Sequence, residues 1–135
     1  MPDILQLRSG FRSRNKCGYL DFFVNGAKLA DILRIGDFIS PLGWLSPRSD
    51  LHFRRMLLRK CPSDLQSGRV PLFVCPECAD YGCGVGTVRI TREGTSIVWS
   101  DFGWEQDGRD GFHRSDEDWQ LRFSFDAREY YQVVG

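Results

Sequence analysis

Residues 86–102 read GTVRITREGTSIVWSDF, and this stretch decides the fold class. In its first limb Val88 and Ile90 fall on one side of an extended chain, Arg89 and Thr91 on the other. Successive side chains of a strand point to opposite faces, so this alternation makes a strand with one dry and one wet side. Arg92-Glu93-Gly94 supplies a turn, and TSIVWSDF returns as a second strand rich in β-branched and aromatic residues. The two limbs form an antiparallel hairpin.

Downstream, Trp119, Leu121, Phe123 and Phe125 alternate with Gln120, Arg122 and Ser124, the pattern of another half-buried strand. Asp126-Ala127-Arg128-Glu129 has the layout of a capping box, which starts a terminal helix over AREYYQVV. Upstream, RVPLFV at 69–74 reads as a strand, with Pro71 placing it at a sheet edge or at a strand start. GYLDFFV at 18–24 is a strand ending in the turn pair Asn25-Gly26, and ILQL at 4–7 is a candidate first strand. Leu29, Ile32 and Leu33 repeat at helical spacing within 27–35. A longer helix is expected from a cap at Ser49 or Asp50 to about Lys60, with Phe53, Met56 and Leu57 as its apolar stripe and Pro62 as its stop. Between these helices, GDFISPLGWLSP at 36–47 reads as a loop with apolar anchors. The expected fold is α+β: one domain over 1–135, a mostly antiparallel sheet of five or six strands, and two or three helices on one face.

Ten Phe, four Trp and four Tyr among 135 residues supply ample core material. The net charge is zero, yet residues 1–69 carry 12 Lys/Arg against 6 Asp/Glu, and residues 70–135 carry the reverse. Halves of +6 and −6 either neutralise each other within the fold or present a charged face to a partner. No apolar run approaches the roughly 20 residues of a membrane span, and MPDILQLRSG lacks a basic-then-apolar leader layout. Five cysteines, an odd number with three clustered, do not make a secreted disulfide framework. The expectation is a cytoplasmic protein with no membrane partner.

Those three clustered cysteines lie in CPECADYGCG, residues 75–84. Zinc takes four ligands in a tetrahedron, and Cys-x2-Cys lets one turn deliver two thiolates. Cys75 and Cys78 fit that arrangement, Pro76 stiffens the turn, and Gly82 and Gly84 free the backbone to bring Cys83 into the same sphere. Cys61, His113, His52 and Cys17 are the candidates for a fourth ligand of a structural Zn2+. Two other readings stand beside this one. Cys75 and Cys78 as a redox dithiol would want a helix N-terminus, and ADYGCGVG does not begin one. A plain tight turn with sulfur as filler needs no metal at all. GCGVG is no phosphate loop, because a strand rather than a helix follows it.

Arg8, Arg12, Arg14 and Lys16, with Phe11 among them, form a basic stretch read as a solvated arm or one paired with the acidic half. A sequence pI near 6.7 argues against a dedicated nucleic-acid binder. Residues 105–118, EQDGRDGFHRSDED, read as an exposed acidic loop in which His113 is a solvated side chain. Aromatic residues beside it would supply binding energy. With two histidines in the chain and no Ser/His/Asp arrangement, an enzyme is not the leading expectation.

The text SGRVPLFVCPECADYGCG, then GTVRITREGTSIVWSDFGWE and LRFSFDAREY, resembles a group of small bacterial proteins with a Cys-Pro-Glu-Cys-x-Asp-x-Gly-Cys-Gly stretch. The resemblance spans about residues 67–131, and Asp101-Phe102-Gly103-Trp104-Glu105 shares in its most specific part. It implies a single-domain accessory protein rather than an enzyme. The general profile is also similar to that of immunity proteins. The expected function is therefore an immunity- or antitoxin-like protein that occludes the basic site of a protein partner such as a toxin. Trp104, Glu105, Asp107, Asp110, Phe112, Asp116, Glu117 and Asp118 would make the contact. The competing expectation is a small zinc- or thiol-dependent enzyme or sensor centred on Cys75, Cys78 and Cys83.

Overall fold

The computed structural model describes residues 1–14, 16–106 and 120–135. Among them the chain runs β1 (Leu5–Arg12), β2 (Cys17–Val24), β3 (Ala27–Lys28), α1 (Leu29–Leu33), α2 (Pro47–Leu57), β4 (Val70–Phe73), β5 (Val85–Glu93), β6 (Ser96–Glu105), β7 (Phe123–Asp126) and α3 (Ala127–Val134). The α+β class is as expected, and every strand pairing within a sheet is antiparallel. The described strands number seven rather than five or six, and they divide into two sheets, β1-β2-β3 and β4-β5-β6-β7. The division follows from local closure. β1 pairs with β2 over eight residues, and Asn25 and Gly26, both at positive φ, fold β2 back onto β3. The first sheet is complete before the two helical segments carry the chain to β4.

The sheets face each other through Phe22 of β2. Its ring meets Phe73 of β4 edge-on at 5.8 Å and Trp99 of β6 at 5.7 Å. At one corner Asp3 ties them together. Its N–H donates to the Ser124 carbonyl at 2.8 Å, and its carboxylate accepts from the Ser124 N–H at 2.8 Å and the Asn25 amide at 2.9 Å. α3 starts where the sequence places it, with the Asp126 carboxylate accepting from the Glu129 N–H at 3.1 Å. Its Tyr130 is fully buried; the hydroxyl donates to the Leu57 carbonyl at 2.6 Å and accepts from the Trp99 indole N–H at 3.2 Å. One side-chain hydroxyl thus satisfies a carbonyl at the end of α2 and a buried donor of β6. A single apolar cluster includes Leu5, Phe22, Leu29, Met56, Trp99 and Tyr130, and so spans both sheets and all three helices.

Other expectations change in detail. α2 starts at Pro47 with Ser46 as its cap, three residues before the expected Ser49, and ends at Leu57. Proline suits the first helical position because its φ is preset and it has no N–H to satisfy. Asp50 instead sits inside the first turn, where it accepts from Arg54 at 2.7 Å and from the Gly43 N–H at 2.9 Å. β1 extends to Arg12, so the basic stretch is strand and turn rather than an arm. The Arg8 guanidinium lies 4.5 Å over the Phe23 ring, and Arg12 and Arg14 pair with Asp37 at 2.9 and 3.8 Å. That pairing stays within the first half of the chain. Leu121 precedes β7, and Trp119 lies outside the described residues.

The β5–β6 register shifts between Thr87↔Gly103 and Arg89↔Ser100, leaving an extra residue on β6. Asp101 there has φ 52, a left-handed conformation that Asp tolerates better than most residues. Arg69, only 7% exposed, donates from Nε to the Asp101 carbonyl at 3.0 Å and also pairs with its carboxylate. Arg89 approaches the same carboxylate at 3.4 Å.

Candidate metal centre

β4 and β5 are antiparallel neighbours, so the residues between them leave the sheet and return to its same end. Residues 75–84 fill that connection. Val74, the last residue before it, exchanges two backbone hydrogen bonds with Ile39, at 2.7 and 3.1 Å. The Ala79 N–H then donates to the Cys75 carbonyl at 2.9 Å and closes the first turn. Asp80 caps a 3-10 turn at Tyr81–Cys83, its carboxylate accepting from the Gly82 N–H at 2.8 Å. The exit requires glycine. Gly84 has φ +101, and a Cβ there would lie 2.4 Å from Cζ2 of Trp104. Gly82, which the sequence suggested as a second pivot, does not have positive φ; Ala79 does, at 56. Beneath the loop Leu65, Val74 and Val85 form a small apolar cluster of their own, with Trp44, Ala79 and Tyr81 packed on it.

This backbone brings the Sγ atoms of Cys75, Cys78 and Cys83 within 4.8 Å of one another. Cys78 and Cys83 are 3.5 Å apart, and all five cysteines of the chain are free thiols. Zn–S bonds of about 2.3 Å in a tetrahedron set the sulfurs about 3.8 Å apart, so shifts of well under 1 Å would place all three on one ion. Cys75 is half-buried, and Cys78 and Cys83 are exposed.

Backbone amides favour the thiolate form of Cys75. The Glu77 N–H holds the Cys75 thiol below its ordinary pKa, against the opposing pull of burial, with help from the Cys78 N–H and the other two thiols. The Asp80 N–H donates to Cys78 Sγ at 3.4 Å. Cys83 is pushed up to about 11, because hydrogen bonds to Cys78 and Cys75 are best made by its protonated form. A cation bound by these sulfurs would displace whatever thiol protons they hold.

Among the described residues no other His, Cys, Asp or Glu joins this group. Cys17 opens β2, Cys61 follows α2 and packs against the main core, and His113 lies outside the described residues. His52, the remaining candidate, is on α2, where Nε2 is 2.7 Å from Asp64 Oδ1. The other carboxylate oxygen of Asp64 accepts from the Tyr81 hydroxyl at 2.7 Å. Tyr81 belongs to the cysteine loop, so Asp64 links that loop to α2. Between them lies a cleft of about 490 Å³ whose lining includes Arg48, Ser49, His52, Phe53, Cys78 and Tyr81. The sequence gives no sign of this arrangement, because residues 48–53, 64 and 78–81 meet only in the folded chain.

Of the expected partner-binding residues, Asp107, Asp110, Phe112, Asp116, Glu117 and Asp118 lie outside the described residues. Trp104 is half-buried, with its ring 5.0 Å from that of Phe38 and covering Gly84. Glu105 does not open an exposed loop. It ends β6, is 4% exposed, and accepts from the Thr87 hydroxyl at 2.8 Å. No described helix is long and apolar enough to cross a membrane. No protein-family model, curated protein or solved structure matches the chain.

Proposed function

We propose that this chain is a thiolate metal protein. Cys75, Cys78 and Cys83 hold one soft divalent cation, zinc in the first place, and the centre so formed serves a small enzyme or sensor. The observation that carries this reading is the convergence of three sulfurs within 4.8 Å on a loop braced by Asp80, Gly84 and Trp104. Thiolate donors select zinc and other soft ions over magnesium or calcium. Exposure favours a chemical role over a purely structural one. Two of the three thiols face solvent, and the main apolar cluster closes without them, whereas a zinc finger needs its metal to fold.

Titration of the metal-free chain with Co2+ tests the proposal. The expected result is one equivalent bound, with intense sulfur-to-cobalt charge-transfer absorption. Cys78→Ser should weaken binding by at least about 100-fold, beyond the usual cost of losing an outer partner. Absorption that is absent, or undiminished in Cys78→Ser, contradicts it.

A further inference from the structure

We infer that the cleft beside Cys78 binds a small thiol bearing an acidic group, whose sulfur becomes the fourth ligand of the metal. This inference rests on the metal reading above and adds the class of ligand that the centre takes.

Three protein thiolates leave one corner of a tetrahedron open, and catalytic zinc sites keep such a corner for an outside ligand. Cys78 belongs both to the thiol group and to the wall of the cleft, so a molecule in the cleft lies beside the metal position. A volume of about 490 Å³ is within the usual range for a small-molecule site. The opposite wall is polar and held in place. Asp64 grips His52 at Nε2, leaving Nδ1 for a ligand, and the same carboxylate holds Tyr81. Arg48, exposed at the rim, adds a cationic group for a carboxylate, while Leu45 and Phe53 line an apolar portion for a short carbon chain.

The donor type follows from charge. A divalent ion with three thiolates carries a net charge of −1, so it is a weak Lewis acid toward a carbonyl or phosphoryl oxygen. A fourth sulfur matches the softness of the other three, and a thiol on such an ion is deprotonated. On binding, the metal–water bond breaks, the metal–sulfur bond forms, and the thiol proton leaves to solvent. No electrons are transferred.

The experiment titrates the Co2+-loaded full chain with mercaptoacetate and, separately, with ethanethiol, which has no acidic group. Mercaptoacetate is expected to add charge-transfer intensity in proportion to a fourth thiolate, with cobalt retained on the protein. Arg48→Ala should weaken mercaptoacetate about 10-fold and ethanethiol far less. An unchanged spectrum, extraction of cobalt by the thiol, or equal losses for both thiols overturns the inference while leaving the metal reading intact. So does a cobalt spectrum that changes in His52→Gln before any thiol is added, since His52 would then already fill the fourth corner. A chain that binds no cobalt removes the metal reading itself.

Discussion

Ala79 follows Cys78 with φ 56, a conformation that crowds the Cβ of an L-residue and costs roughly 1–2 kcal/mol. Ala79→Gly should therefore stabilise the loop by about 0.5–1 kcal/mol after the entropy glycine loses on folding, read by urea denaturation or by tighter Co2+ binding. Gly84→Ala works in the opposite direction, since its Cβ would overlap Trp104; a loss of about 2 kcal/mol and weaker metal binding are expected. Both single-atom changes test whether the backbone, and not only the three sulfurs, builds the site. A third test at this scale concerns charge. Asp21 is 3% exposed, and burial raises its pKa above the usual carboxylate value, offset in part by Lys28 at 3.5 Å. The raised value means that the folded chain holds this proton more tightly than the unfolded one. Its contribution is full below the unfolded pKa of about 3.9 and is lost as pH rises through the folded value. At neutral pH the ionised carboxylate leans on Lys28. Lys28→Met should destabilise by about 1–2 kcal/mol at pH 7 and by less at pH 4, as compared by denaturation at the two values.

Asp3 makes a polar tie between the sheets that can be tested at the scale of the elements it joins. Asp3→Ala removes the carboxylate that satisfies the Ser124 N–H of β7 and the amide of Asn25, with an expected loss of about 1–2 kcal/mol in thermal or urea unfolding. Much of the element inventory was legible in the sequence because its signals are local. The β5–β6 hairpin, the edge position of Pro71, the Asn25-Gly26 turn and the cap of α3 each depend on residues within a few positions. The pairing of elements was not legible. The antiparallel text of β2 fits one large sheet as well as it fits a separate one; the strand pairing, with Phe22 meeting Phe73 and Trp99 across the core, decides between them. The same limit applied at the site. The spacing of Cys75, Cys78 and Cys83 was readable, since nine residues contain it. The cleft was hidden, because His52, Asp64 and Tyr81 come from three segments. Glu105 was misplaced because an acidic residue beside an acidic run reads as solvated, whereas the Thr87 hydroxyl across the β5–β6 pairing holds it inside.

Among the described residues, two sheets and three helices close around one apolar cluster, and the cysteine loop stands on a separate small one. The metal-free chain is therefore expected to remain folded, with unchanged secondary structure by circular dichroism. A cation bound only by the folded form adds stability in proportion to its occupancy, about 2.7 kcal/mol at a free concentration 100 times Kd. The most direct test of the metal reading is the metal content of the purified, untagged chain by elemental mass spectrometry, with thiol alkylation counted in parallel. About one zinc per chain is expected, with Cys75, Cys78 and Cys83 protected from alkylation until a chelator is added. A chain without metal that also fails to retain added zinc, and whose three loop thiols alkylate at once, contradicts it.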